Sequence, residues 1–350
     1  MTTILTARAA AHISNARAGS PRTARPARTV RVALAGCGTV GASLVTLIRR
    51  QQEFFEQRHG VRFELVRILV RDTAKDRGVA LPRHLLTSNA DDFLLTDADV
   101  VVEAIGGLEP AERLVRGALA QGRHVVTANK ELLAAHGPAL QRLADKRGTT
   151  LNFEAAVGGG VPVVRTLRGE LGGHGVRTIT GILNGTCNYL LTQLADGVRF
   201  SDALADAQRK GFAEADPSRD LQGLDAADKI AILAWLAWGI DPAELKVLVE
   251  PLPADPEPLA RQALSRNGVL KYLAGAVREE HGRVRAWVRP VIVPRDHELA
   301  RVRDEENAVH IDSDSLGVLR LQGRGAGGSA TASAVLGDLL EAGNTLQKNL

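Results

Sequence analysis

Residues 29–50 read TVRVALAGCGTVGASLVTLIRR, a strand pattern that runs straight into a glycine-rich turn and a helix. Val30, Val32 and Leu34 alternate through the first part, and Leu44, Leu47 and Ile48 recur at helical spacing through the last. Between them stands Gly36-x-Gly38-x-x-Gly41. That spacing carries weight only with a strand before it and a helix after it, and both are present. Gly36 suits the tight turn, Gly38 lets a pyrophosphate approach the backbone, and Gly41 lets the helix pack closely on the strand. The helix N-terminus, beginning at Thr39 and Val40, offers free N–H groups and the positive end of its dipole to phosphates. The stretch predicts a dinucleotide-binding fold; the competing reading is a glycine-rich turn with no ligand.

The alternation of strand and helix continues beyond it. FELVRILVRD (63–72) predicts a second strand, ADVVVEAIGG (98–107) a later one, and PAERLVRGALAQG (110–122) a helix ended by glycine. RHVVTANKELLAAHG (123–137) reads as strand, turn and helix, and TTLNFEAAVGGG (149–160) as another strand. The fold class expected is α/β, a Rossmann-type doubly wound parallel sheet. Strand two should end beside the adenine ribose. Arg71, with Lys75 and Arg77 behind it, favours a 2′-phosphate and hence NADP, whereas Asp72 is the kind of residue an NAD site would use. Gly106 and Gly107 fall at the carboxyl edge of the sheet, where cofactor and substrate meet, and Asn129-Lys130 closes the next strand there. Lys130 is either a solvent-facing charge at a helix start or a functional group.

The bulk properties narrow the field. A chain of 350 residues, 45% hydrophobic and 24% charged, has room for two domains with their own cores. The net charge of +4 is concentrated at one end, because residues 1–52 contain no acid while Arg8, Arg17, Arg22, Arg25, Arg28 and Arg31 are spread through them. With that arm set aside nothing argues for nucleic acid, and 3% aromatics leave few stacking platforms. Residues 1–29 are expected to form a disordered basic leader. An organellar transit peptide is the alternative to a cytoplasmic protein with an arginine bias, for Arg outnumbers Lys 36 to 8. IAILAWLAWGI is too short for a membrane span. Cys37 and Cys187 form neither a disulfide framework nor a zinc pattern, which fits a reducing compartment and a cytoplasmic location.

Residues 211–229, GFAEADPSRDLQGLDAADK, place five acids ahead of an almost wholly apolar helix: Glu214, Asp216, Asp220, Asp225 and Asp228. A charge run of this kind is ordinarily wet surface. Asp225 and Lys229 are four apart, however, and share one helix face. Beyond them Ile230, Ile232, Leu233, Trp235 and Leu236 make the helix apolar nearly all round and therefore buried. A lysine at the mouth of a buried helix, beside an aspartate, suits proton transfer. It stands out in a chain that otherwise uses arginine for positive charge.

From about residue 30 to 345 the chain resembles homoserine dehydrogenases. The matching stretches are GCGTVG, HVVTANKELLAAHG, FEAAVGGGVPVVRTLR (153–168), GILNGTCNYLLTQL (181–194), the acidic run, VPRDHELA (293–300) and GRGAGGSATASAVLGDL (323–339). The resemblance implies reversible NAD(P)-dependent oxidation of L-homoserine to L-aspartate 4-semialdehyde, a step of threonine and methionine synthesis. It implies Lys229 as the proton carrier, Asp225 orienting the reacting hydroxyl, and Lys130 as proton relay or carboxylate contact. Glu214 and Asp220 would hold the substrate ammonium, and the Thr186 and Asn188 region would lie over the substrate. Glu154, Val157, Gly159 and Val161 match a sodium or potassium site built from carbonyl oxygens. Gly325, Gly327 and Gly328 would return to the cofactor. The resemblance divides the chain into an NAD(P)-binding domain (30–152), an α+β catalytic and dimerisation domain (153–325), and a last helix (326–350) packing back on the first domain. A homodimer formed through the second domain's sheet and a short form without a regulatory domain are the corresponding expectations.

Three positions depart from the family pattern: Phe212 where Tyr is usual, Arg219 where the residue is more often neutral or acidic, and Arg324 where proline is usual. Two rivals remain. One is a semialdehyde dehydrogenase using the Cys187 thiolate, although no histidine lies near Cys187. The other is a non-catalytic NAD(P) sensor, which would have no need of Asp225, Lys229 and Lys130. Asn184-Gly185-Thr186 is formally a glycosylation tripeptide, without meaning unless the chain is secreted, and His297 and His310 read as loop or surface residues.

Overall fold

A computed structural model describes residues 27–325 and 327–348. Most of the expected basic leader lies outside the described residues. Six parallel strands form the first sheet: β1 (Arg28–Ala35), β2 (Val61–Leu69), β3 (Leu86–Thr87), β4 (Val100–Glu103), β5 (His124–Thr127) and β6 (Leu151–Asn152). Their order, β3-β2-β1-β4-β5-β6, reverses direction between β1 and β4. That is the doubly wound arrangement, in which the crevice at the reversal takes the ligand.

The helices of this half are α1 (Thr39–His59), α2 (Ala90–Leu95), α3 (Ala111–Ala120) and α4 (Lys130–Arg147). α1 buries Leu44, Val45, Ile48 and Phe55 and stops where Gly60 turns left-handed at φ 63°. Because helices cover both faces of the sheet, β4 is buried along its whole length. β2 ends at Leu69, so Arg71 stands beyond the strand.

The second half contains α5 (Val163–Arg168), β7 (Val176–Ile182), α6 (Gly185–Ala195), α7 (Phe200–Lys210), α8 (Ser218–Leu221) and α9 (Leu224–Trp238). It continues with β8 (Val247–Val249), α10 (Glu257–Ser265), β9 (Gly268–Arg278), β10 (Val284–Pro294), β11 (Glu306–Ser313), β12 (Gly317–Arg324) and α11 (Gly328–Lys348). Its sheet runs β12-β11-β7-β9-β10-β8 and is antiparallel except where β8 joins β10. α11 packs on α1, and its Ala332, Val335, Leu336, Leu339 and Ala342 share a core with Val30, Val32 and Leu34 of β1.

α9 connects the halves. Ile230, Ile232 and Leu233 are fully buried, as an all-round apolar helix requires. Trp235 stacks on Phe153 with ring centroids 5.6 Å apart, while Gly137 of α4 presses on its other edge. A Cβ at Gly137 would meet the indole at 2.9 Å, so this glycine sets how closely α4 and α9 approach. Among the described residues no helix is long and apolar enough to cross a membrane.

Candidate active site

The carboxyl ends of β1, β4, β5 and β6 border a cavity of about 650 Å³. Of the turn between β1 and α1 only Val40 reaches the cavity's lining; the three motif glycines stand outside it and play different parts. A Cβ at Gly36 would fall 2.5 Å from the Ala104 carbonyl oxygen, and one at Gly41 would fall 2.2 Å from that of Gly36. Both contacts are with backbone, so these glycines hold the turn against the end of β4 and let α1 close on it. Gly38 is different, with nothing within 4 Å of a Cβ placed there. It is the N-cap of α1, no side chain caps that helix, and its carbonyl accepts the first helical bond from Ala42. A bare helix N-terminus beside open space fits a dinucleotide pyrophosphate. Val40, Gly106 and Gly327 line the cavity; Gly107 does not, and its carbonyl accepts from Asn129 Nδ2 at 2.7 Å. Arg71 is exposed and does not line it.

Across the cavity lies an acid–lysine cluster. Asp225, in the first turn of α9, is almost wholly buried and uses both carboxylate oxygens. Oδ1 meets Lys130 Nζ at 2.9 Å and Oδ2 meets Lys229 Nζ at 2.7 Å. Burial alone would push this carboxyl up, but Lys229 and Lys130 outweigh it and hold it well below the usual carboxylate range. Asp225 in turn holds the Lys130 ammonium above its ordinary value, against burial. Lys229 Nζ also donates to the Leu183 carbonyl at 2.8 Å, which leaves one of its three donors free.

Asn184 completes the cluster. Its Nδ2 donates to Asp220 Oδ1 at 2.7 Å and to Asp225 Oδ2 at 2.8 Å, while its Oδ1 caps α6 at the Cys187 amide. One side chain therefore starts a helix and fixes two acids. Sequence reasoning passed over it, because the triplet Asn-Gly-Thr suggests only glycosylation.

The other expected residues fall variously. Glu214 and Asp220 line the cavity, Glu214 exposed and Asp220 half-buried. Thr186 lines it as well, but its hydroxyl donates to the Phe212 carbonyl at 2.6 Å. Asn188 is turned away, with its Nδ2 donating to the carbonyls of Val302, Asp304 and Glu306 and its Oδ1 accepting from Lys271. Phe212 lies on the wall with its ring 5.1 Å from that of Tyr189. Arg219 joins Glu131 of α4 at 3.2 Å to Asp228 of α9 at 2.9 Å, so it ties the two halves at the cavity's edge. Asp228 is not the freely solvated acid the sequence suggested, for burial pushes it up to about 6. Asp216 accepts from the Ser218 amide and shapes the turn before α8.

Around Glu154–Val161 the carboxylate of Glu154 is already committed, accepting from the amides of Val164 and Arg165 at 2.8 Å each. Among the described residues no three His, Cys, Asp or Glu side chains stand ready to hold a metal ion. Of the carbonyls expected to face a cation, those of Glu154 and Val161 already accept from the amides of Val157 at 3.3 Å and Val163 at 2.8 Å. Gly159 lines the cavity, and a Cβ on it would meet the Gly325 carbonyl oxygen at 2.5 Å.

Cys187 is wholly buried, and burial with Asp220 and Asp225 pushes its thiol well up. A thiolate nucleophile needs the opposite setting. His297 caps the turn at Leu299, while His310 sits within β11 rather than in a loop.

A doubly wound sheet, a glycine-lined phosphate approach and a lysine–aspartate pair across one cavity define a nicotinamide-dependent dehydrogenase. Comparison with known proteins makes the assignment particular. Residues 36–154 match the homoserine dehydrogenase NAD-binding domain and residues 162–340 match homoserine dehydrogenase. Over 318 residues the chain is 40% identical to the homoserine dehydrogenase of Synechocystis sp., covering 89% of this chain and 73% of that one. A homoserine dehydrogenase structure from Thiobacillus denitrificans superposes with a TM-score of 0.86 at 38% identity, covering 92% of this chain and 74% of that one. A hyperthermophilic archaeal homoserine dehydrogenase in complex with NADPH gives 0.74 at 26% identity, covering 91% and 98%. The chain belongs to the homoserine dehydrogenase family.

Proposed function

We propose that the chain oxidises L-homoserine reversibly to L-aspartate 4-semialdehyde, with Lys229 carrying the proton. The observation behind this reading is the pair of lysines on the two oxygens of buried Asp225, in the wall of the cavity that begins at the dinucleotide turns. An oxidised nicotinamide held at this site would supply the acceptor for the hydride leaving the hydroxyl-bearing carbon. The remaining position of Lys229 Nζ faces the substrate hydroxyl, which donates its proton to the lone pair of the neutral amine there as the carbonyl forms. Asp225 and the Leu183 carbonyl hold the amine in place. Lys130 stays cationic beside Asp225 and suits the substrate carboxylate, while Glu214 and Asp220 suit the ammonium.

The pyrophosphate belongs at Gly36, Gly38, Thr39, Val40 and Gly41, and the nicotinamide end at Gly106, Gly107 and Gly327. Arg71 favours NADP over NAD. Sodium or potassium at the carbonyls of Glu154, Val157, Gly159 and Val161 would stiffen the loop under the cavity. The mixed sheet exposes Leu248 on one edge strand, with Leu316 and Val318 at its other edge, which supports a homodimer formed through it. The cytoplasm is the compartment this reading implies. Absorbance at 340 nm with L-homoserine and NADP or NAD at alkaline pH, with and without potassium or sodium, tests it. No reduction of either cofactor would refute the reading.

A further inference from the structure

Glu103 is the last residue of β4, in the middle of the parallel sheet, and no part of it reaches solvent. The rest of the strand is valine, as a doubly covered strand should be. A carboxylate here carries a desolvation penalty unless it is fully hydrogen-bonded, and it is. Oε1 accepts from the amides of Ile105 at 2.8 Å and Gly106 at 3.1 Å, and Oε2 accepts from the Thr127 hydroxyl at 2.5 Å.

These bonds belong to a closed ring. Thr127 Oγ1 also accepts from the Asn129 amide at 3.0 Å. Asn129 Nδ2 donates to the Gly107 carbonyl at 2.7 Å, which returns the chain of bonds to the turn that Glu103 holds. Asn129 Oδ1 meanwhile caps α4 at the Leu132 amide, so Lys130 begins its helix from a residue of the ring. Peptide planarity adds a second consequence. With the amides of Ile105 and Gly106 turned in to the carboxylate, the carbonyls of Ala104 and Ile105 point away from it. Ala104, Ile105 and Gly106 all line the cavity.

We propose that Glu103 is a positioning residue: through the ring it holds the turn at residues 104–107 and Lys130 in one geometry. It touches no reactant itself. The inference rests on the dehydrogenase reading above, because its consequence is read in turnover. Misplacing reacting groups by a fraction of an ångström costs rate more than affinity. Glu103→Gln keeps the shape and the acceptor for the two amides but turns a donor toward the Thr127 hydroxyl. Thr127→Val removes the hydroxyl from the other side.

The experiment measures kcat, both KM values and the unfolding midpoint for wild type, Glu103→Gln, Thr127→Val, Thr127→Ser and the Glu103→Gln/Thr127→Val double variant. Expected are losses of about 10- to 100-fold in kcat for Glu103→Gln and Thr127→Val, with cofactor KM within about threefold. The double variant should be no worse than the poorer single one, because one ring is broken only once. Thr127→Ser, which keeps the hydroxyl, should recover most of what Thr127→Val loses. If Glu103→Gln does not fold, the Thr127→Val and Thr127→Ser pair decides alone. Turnover near wild type in Thr127→Val, additive losses, or midpoints that fall while kcat per folded enzyme holds would each overturn the proposal. Wild type active with unaffected variants sinks Glu103 only; wild type without turnover of homoserine sinks the reading of the reaction with it.

Discussion

Replacing Gly38 by alanine separates the roles of the three motif glycines. Its φ of −83° is open to any residue, and a Cβ there has no protein atom within 4 Å. Alanine is the poorer N-cap, but by no more than about 1 kcal/mol. The folded protein should therefore tolerate the change with a small shift in unfolding midpoint. The added methyl instead occupies the approach to the first turn of α1, where the pyrophosphate would pack. Crowding by one methyl costs about 1–3 kcal/mol, which weakens dinucleotide binding by about 5- to 150-fold. Gly41→Ala makes the opposite case, with its Cβ 2.2 Å from a backbone oxygen that cannot swing aside. It should lower the midpoint by several degrees before cofactor is considered. Isothermal titration with NADPH, beside thermal unfolding of both variants, gives the two readouts. Wild-type affinity in Gly38→Ala would refute the placement of the pyrophosphate, and a midpoint loss equal to that of Gly41→Ala would refute the open space.

Lys229→Met should lower kcat by about 10²- to 10⁴-fold, the usual range for a lost acid–base group, with NADPH affinity within about threefold by titration; equal losses in both would make the lysine structural. Cys187→Ala should keep turnover within about threefold, and neither Cys37 nor Cys187 should react quickly with a thiol reagent until the protein is unfolded, since both are buried. Lys271 gives a pH signature unrelated to catalysis. Its ammonium is buried against Asn188 and the Val302 carbonyl, and burial, with Arg303 nearby, lowers it to about 8. The folded state thus binds fewer protons than the unfolded chain between pH 8 and 10.5. Stability from this group accordingly rises across that window by about 3 kcal/mol, and the cost is present in full below pH 8. Denaturant unfolding of Lys271→Met from pH 8 to 10 should show a shallower rise than wild type, and an unchanged slope would count against the assignment.

The fold was largely legible because its signals are local. Val30, Val32 and Leu34 feed the glycine turn within a dozen residues, and the valines of β4 and β5 mark strands covered on both faces. Boundaries slipped where local composition misleads. Residues 70–72 look like more of β2, yet the strand ends at Leu69 once its only further neighbour, β3, runs out after two residues. The mixed sheet was harder to read. β7 to β12 are brought together over more than a hundred residues, and no short pattern announces which strand will pair with which.

The site was legible where a residue's chemistry is unusual for its place, and illegible where it is ordinary. A lysine and an aspartate at the mouth of an apolar helix break the pattern, so Asp225 and Lys229 stand out. Lys130 stands out less, because its meaning depends on α4 and α9 being pressed together by Gly137 and Trp235. Asn184, Glu103 and Thr127 carry no signal of their own. Asparagine before a helix and threonine at the end of a strand are common, and one glutamate after three valines looks like the strand reaching solvent. The structure gives the opposite reason for Glu103: it is at the centre of the sheet, and three donors satisfy it. Reactive groups can be found by their oddity, but the residues that orient them look unremarkable, because a good hydrogen-bond partner is defined by its neighbours. For that reason the ring through Glu103, Thr127 and Asn129 is the part of this site where the structure adds most to the sequence.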